Sequence, residues 1–158
     1  MTRPWEVGLI SDTHGLLRPE AIAALRGVDA IIHAGDIGAP DVVERLAAIA
    51  PVTAVRGNND RGPWAEKLAG VETLEIGGVL VHVLHDVKEL ALDPRAAGLI
   101  AVIAGHSHQP RVEERDGVLY VNPGSAGPRR FRLPVAVGRL TVKDGRVHGR
   151  IIALEIAS

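Results

Sequence analysis

Cysteine is absent from the 158 residues of this chain. That absence excludes disulfide frameworks, thiolate zinc sites and thiol nucleophiles together, so any metal must be held by oxygen and nitrogen. Aromatic residues make up only 3%. The core must therefore be built from Val, Ile, Leu and Ala, and the chain lacks the stacking platform that binders of single-stranded nucleic acid use. There is no excess of basic charge either: the formal net charge is −1, which gives DNA or RNA nothing to be drawn by. No apolar run approaches the roughly 18 residues of a membrane span. The opening Met-Thr-Arg-Pro-Trp-Glu sets an acidic residue before a very short apolar run, unlike a signal peptide. The expectation is a cytoplasmic protein with neither membrane nor nucleic acid as partner. What is present, 46% hydrophobic and 23% charged residues, describes one globular domain over residues 1–158.

Along the chain, Val7 to Ile10 reads as an apolar strand. A helix from Glu20 to Leu25, with Pro19 tolerated in its first turn, stops at Gly27. Asp29 to Ala34 reads as a second strand. Asp41 to Ala50 reads as a helix with Val42, Leu46 and Ile49 on one stripe, ended by Pro51. Val52 to Val55 is a third strand. This strand–helix alternation predicts parallel strands with right-handed crossovers. The second half changes character. Val71 to Ile76 and Val79 to Leu84 flank Gly77-Gly78 as a hairpin. A short helix is expected from Asp93 to Gly98, then a buried strand from Leu99 to Ala104. Two more hairpins follow, Val112 to Arg115 with Val118 to Val121, and Val135 to Val142 with Arg146 to Ile156. The pattern predicts two sheets face to face with helices outside.

Chemistry-bearing residues collect just past the strand ends: Asp12, His14, Asp36, Asn58, His85, His106 and His108. They include four of the chain's seven histidines. Open α/β sheets bind ligands at these carboxyl ends. Asp12 and His14 are two apart, as are His106 and His108. In extended backbone such pairs point to one side, roughly 6.5 to 7 Å apart along the chain. Gly35, Gly57 and Gly105 precede ligands, which suits close backbone approach. Seven ligands exceed one tetrahedral zinc and suit two ions sharing a carboxylate, for which Asp36 is the natural bridge. The oxygen and nitrogen donor set favours Mn²⁺, Fe or Zn²⁺ over Mg²⁺. Paired ions are a template for displacement at phosphorus or hydrolysis at a carbonyl. Two carboxylates against two divalent ions leave about +2, which favours an anionic substrate.

Taken in order, Asp12-x-His14, Gly35-Asp36, Gly57-Asn58-Asn59-Asp60, His85 and Gly105-His106-Ser107-His108 resemble the signature of the calcineurin-like metallophosphoesterases. Within them the chain is similar to the small YfcE-type phosphodiesterases, and Asn122-Pro123-Gly124-Ser125 points the same way. The resemblance covers Val7 to Arg129. It implies a four-layer α/β/β/α sandwich of two mixed β-sheets flanked by helices. It implies two divalent ions, Mn favoured with Fe, Zn, Ni and Mg as alternatives. Asp12, His14, Asp36 and His108 would hold one, and Asp36, Asn58, His85 and His106 the other. A bridging hydroxide would attack the phosphorus of a small phosphoester, with Asn59 and Asp60 as further catalytic-site residues. A homo-oligomer is left open.

Two positions depart from the family pattern. Many members carry His where Asn59 stands, and Asn cannot donate a proton at neutral pH. The YfcE-type members also lack this His, which favours phosphodiesters over monoesters and good leaving groups over poor ones. Asp86 replaces a common Gly and either caps the segment after it or contacts metal or its water. A phosphomonoesterase on the same centre is one alternative. A non-catalytic scaffold is the other, as in the retromer subunit that this fold resembles.

Other readings attach to single residues. His82 reads as a sheet-face or core histidine. His33 reads either as a donor behind Asp36 or as a satisfied core residue, and His148 as a surface residue. Asp60 alone reads as a carboxylate fixing the Asn58 loop through backbone. Arg129, Arg130 and Arg132 read as a solvated loop face, with phosphate steering as the functional alternative.

Overall fold

The computed structural model describes residues 3–156. Two five-stranded mixed sheets pack face to face. The first has the order β10 (Arg146–Ala153), β9 (Ala136–Lys143), β1 (Trp5–Ile10), β2 (Ala30–His33) and β3 (Val52–Ala54). β1, β2 and β3 are parallel, and β9 and β10 close the other edge antiparallel. The second has the order β4 (Val71–Ile76), β5 (Val79–Leu84), β6 (Leu99–Ile103), β8 (Val118–Asn122) and β7 (Arg111–Arg115). Here β5, β6 and β8 run parallel between antiparallel edges.

Alternation within each strand builds the layers. Val7 and Leu9 of β1 face Val81 and Val83 of β5 and Ala101 and Ile103 of β6 in the inter-sheet core. Ile10 and Ile31 point the other way, under α1 (Pro19–Ala24) and α2 (Pro40–Ala47). Burying a side chain such as Val42 or Leu46, each wholly inaccessible on the inner face of α2, is worth about 2 kcal/mol. Both helices carry Pro in the first turn and no side-chain cap, so packing holds them rather than their ends. A third helix, α3 (Pro63–Glu66), spans one turn. It is too short to leave a periodic signature and is not visible as an element in the sequence.

The fourth layer is thin. A 3₁₀ turn at Val87–Glu89 and the loop after it lie over Leu84, Val102, Ala104 and Val118 of the second sheet. The helix expected from Asp93 to Gly98 does not form. One turn closes with the Ala97 N–H on the Asp93 carbonyl and the Leu99 N–H on the Pro94 carbonyl. Gly98 then leaves the helical region at φ +77°. Six residues with a proline inside and a glycine at the end cannot extend beyond that nucleus.

The parallel strands of both sheets deliver their carboxyl ends to one rim. Beyond β1, β2, β3, β5 and β6 lie Asp12, Asp36, Asn58, His85 and His106, in that order. His82, on the face of β5, pairs with Thr73 across the hairpin through a 2.7 Å hydrogen bond at its Nδ1. His148 is exposed on β10.

Candidate metal centre

All seven expected ligands meet at this rim, by a different local route from the one the spacing implied. Asp12 and His14 are not extended: their φ values are +54° and +47°. Asp36, His106 and His108 are left-handed too, at +56°, +71° and +62°. Asp and His are among the few residues with side chains that enter this region often, at a cost of order 1 kcal/mol each. The convergence of Asp12 with His14, and of His106 with His108, therefore comes from tight left-handed turns at the strand ends. It does not come from a pleated strand presenting alternate side chains.

Asp12 is the most enclosed member. Its Oδ2 accepts from the Ser11 hydroxyl at 2.6 Å and the His106 N–H at 3.0 Å. Its Oδ1 is buried without a hydrogen bond and faces His108 Nε2 at 3.3 Å, His14 Nε2 at 3.7 Å and His85 Nε2 at 3.9 Å. His14 Nε2 is likewise buried and unpartnered. Asp36 Oδ2 lies 3.3 Å from His85 Nε2 and 3.8 Å from His14 Nε2. Both Asp36 oxygens accept from Asn59: Oδ1 from the backbone N–H and Oδ2 from the side-chain amide, each at 2.9 Å. His106 turns Nδ1 inward, 3.2 Å from Asn58 Oδ1 and 3.3 Å from His85 Nε2. Its Nε2 lies 3.7 Å from Asp86 Oδ2.

These separations suit cations. Donors about 2.1 Å from one ion stand roughly 3 to 4 Å from each other. A buried carboxylate oxygen ringed by imidazole nitrogens that make no hydrogen bond to it is short of a positive charge. Among the described residues two triads have this spacing, Asp12/His14/His108 and Asp12/Asp36/His85. The carboxylate common to both is Asp12, while Asp36 reaches imidazoles of each.

Electrostatics agree with this arrangement. Burial alone would raise the Asp12 carboxyl, but the close His108 imidazole, the Ser11 hydroxyl and the His85 imidazole hold it below its usual range. Asp36 is likewise held low against burial, by His85 and the Asn59 N–H. Burial opposes charge on His85, yet Asp36 and Asp12 raise its pKa above the usual imidazole value.

The surrounding shell was only partly legible. Asp60, expected with Asn59 among the catalytic residues, binds backbone: it accepts from the N–H groups of Gly57 at 2.9 Å, Gly38 at 3.0 Å and Ile37 at 3.2 Å. It ties the loop after β3 to the loop after β2. His33 is wholly buried. Its Nδ1 accepts from the Gly35 N–H at 3.1 Å, which leaves Nε2 as the donor to Thr13 Oγ1 at 3.0 Å, and Thr13 donates to the Ile37 carbonyl at 2.8 Å. The chain runs between the loops that carry Asp36 and Asp12 and does not touch the Asp36 carboxylate. Burial lowers the His33 pKa to about 4. Asp86 caps the 3₁₀ turn, accepting from the Lys88 N–H at 3.1 Å, and its second oxygen faces His106. Asn122 donates to the Gly105 carbonyl at 2.9 Å and to Ser107 Oγ at 3.0 Å, so this segment borders the site. Ser11 and Thr13 were missed, because small hydroxyl residues beside a ligand carry no distinguishing spacing. The glycines were legible. A Cβ on Gly57 would meet the Asp36 amide and carboxylate, and one on Gly105 would meet Ser11 Oγ. Arg129, Arg130 and Arg132 are exposed.

Residues 5–145 match the calcineurin-like phosphoesterase superfamily domain, and the chain belongs to that family. It is 37% identical over 139 residues to a probable metallophosphoesterase of Methanothermobacter thermautotrophicus, covering 81% of each chain. Among solved structures, an archaeal phosphodiesterase superposes with a TM-score of 0.77 at 25% identity, over 93% of this chain and 99% of that one. The fold alone is shared with YfcE of E. coli (TM-score 0.67, 22% identity, 95% and 100% covered). The same holds for vacuolar protein sorting 29 of Cryptosporidium parvum (0.76, 20%, 98% and 100%). Among the described residues no helix is long and apolar enough to cross a membrane.

Proposed function

We propose that the chain is a cytoplasmic metal-dependent phosphodiesterase acting on small soluble phosphoesters. Asp12, His14, Asp36 and His108 would hold one ion and Asp36, Asn58, His85 and His106 a second, with Asp12 also within 3.9 Å of His85. The observation that carries the reading is the pair of buried, unpartnered atoms Asp12 Oδ1 and His14 Nε2. Divalent ions bound there, with Mn²⁺ favoured by the mixed donor set, would neutralise phosphate charge and activate water for attack on phosphorus.

The chain's own residues set orientation and selectivity. Asn59 holds both oxygens of Asp36 through its N–H and amide, which fixes that carboxylate's rotamer. Asp60 fixes the loops from behind, as a positioning residue. Asn59 offers no titratable proton to a departing alkoxide, and a general acid is worth roughly 10² to 10⁴-fold. Esters with good leaving groups are therefore the natural substrates. The likeness to a relative described as an archaeal phosphodiesterase supports diesters.

The test is hydrolysis of bis-p-nitrophenyl phosphate and p-nitrophenyl phosphate with Mn²⁺, with and without chelator. Metal-dependent diester hydrolysis, at least tenfold faster than monoester hydrolysis, is expected. A preference for the monoester would replace the reading with a phosphomonoesterase. No hydrolysis of either ester would favour a scaffold.

A further inference from the structure

Besides the centre itself, one cavity touches it. A cleft of about 260 Å³ begins at Gly105, His106 and Asn122 and runs outward across the exposed face of the second sheet. It lies where the fourth layer is thin, so β6, β7 and β8 form its floor. Val102 and Ala104 give it an apolar base, and Tyr120, the chain's only tyrosine, stands on it. The Arg115 guanidinium lies 4.2 Å from the Tyr120 ring centroid. Both planar groups line the same cleft. Gln109 and Lys88 are exposed at its edge.

We propose that this cleft binds one ester arm of the substrate, and that the arm is a nucleoside. The inference rests on the phosphodiesterase reading and adds a substrate class to it. Three features carry it. The volume falls just below the ~300 Å³ at which drug-sized pockets begin, so it holds one ring system with a sugar rather than a long chain. The Arg115 guanidinium, stacked on the Tyr120 ring beside the aliphatic base, offers a plane of the kind on which nucleobases stack. The Gln109 amide, donor and acceptor together, matches the mixed hydrogen-bonding edge of a base, whereas a plain alkyl or lipid arm would leave that capacity unused. Because His106 closes the inner end, a ring in the cleft carries its phosphate toward the candidate centre.

The experiment compares two diesters with the same leaving group, thymidine 5′-p-nitrophenyl phosphate and methyl p-nitrophenyl phosphate, using the full chain with Mn²⁺. Hydrolysis of the methyl diester reports on the phosphodiesterase reading by itself, and the ratio of the two kcat/KM values reports on the cleft. Wild type should favour the thymidine diester at least tenfold, chiefly through KM. In Tyr120→Leu, and independently in the surface variant Arg115→Gln, the ratio should fall to about twofold or below. Calorimetry should show thymidine 5′-phosphate binding wild type at least tenfold more tightly than methyl phosphate, with that difference lost in both variants. Equal kcat/KM for the two diesters in wild type, or an undiminished preference in both variants, would overturn the proposal while leaving the phosphodiesterase reading intact.

Discussion

Asp12 Oδ1 and His14 Nε2 lie 3.7 Å apart, both buried and neither hydrogen-bonded. A fold that needed only these turns could have placed a hydroxyl or an amide there at less cost, since an unsatisfied buried polar group costs about 1–3 kcal/mol. The pair makes sense when a cation completes it. Mn²⁺ should therefore raise the thermal midpoint of the wild type, with a stabilisation of about 2.7 kcal/mol at a hundred times Kd. In His14→Ala the metal-induced rise should shrink by at least half, and diester hydrolysis should fall at least about 100-fold, beyond the 10–100-fold typical of outer-shell changes. A full metal-induced rise in the variant, read by calorimetry, would remove His14 from the ligand set.

Asp60 acts through backbone. Asp60→Ala leaves three N–H groups without an acceptor, those of Ile37 and Gly57 buried, and should destabilise the protein by about 3 kcal/mol in urea titrations. Activity lost in the milder Asp60→Asn should return in large part as Mn²⁺ is raised, because that variant loosens the ligand loops and leaves the ligands in place. A kcat deficit that saturating metal does not touch would instead give Asp60 a direct part in the chemistry.

Asn59 has two consequences that oppose each other. Asn59→His supplies a proton donor and removes the amide that holds Asp36 Oδ2. The ratio of rates for phenyl against p-nitrophenyl leaving groups should rise about tenfold or more, while the Mn²⁺ concentration needed for half-maximal rate also rises. An unchanged leaving-group ratio would mean that protonation is not limiting.

His33 gives a pH signature distinct from that of the ligands. Its pKa falls from 6.5 in the unfolded chain to about 4 in the native state. The unfolded state thus takes up a proton first as pH drops, and the stabilisation present above pH 6.5 is lost between about 6.5 and 4. A full shift of this size corresponds to about 3 kcal/mol. The contributions of Asp12 and Asp36, whose pKa values are depressed, are lost only below their unfolded value of about 4. The contribution of His85, whose pKa is raised, is lost as pH rises above 6.5. In the metal-free protein, denaturant midpoints between pH 6.5 and 4 should decline in wild type and decline less steeply in His33→Gln, where His82, also lowered by burial, keeps a contribution of the same sign. Equal slopes in the two proteins would contradict the assignment.

The larger part of this architecture was legible because apolar alternation and turn chemistry both pointed one way. The hairpin Val71–Ile76 with Val79–Leu84 forms on the residues its pattern indicated. The gathering of these residues at one rim was legible because Asp and His at successive apolar strand ends have no core explanation. Backbone conformation was not: pleated spacing brings Asp12 near His14 on paper, whereas the chain does it with left-handed turns that no periodicity records. The Asp93–Gly98 segment misled because composition favoured a helix that its length could not propagate. That Asp60 fixes the Asn58 loop through backbone was legible, but its reach to Ile37 and Gly38, the partners of His33 and the role of Ser11 depend on loops that meet only in three dimensions.

The most direct test of the two-ion account is a calorimetric titration of metal-free protein with Mn²⁺, paired with bis-p-nitrophenyl phosphate hydrolysis at each point. Two ions per chain are expected, with activity appearing only as the second is taken up and neither property surviving in Asp36→Ala. Full activity with one ion per chain, or after complete metal removal, would contradict it.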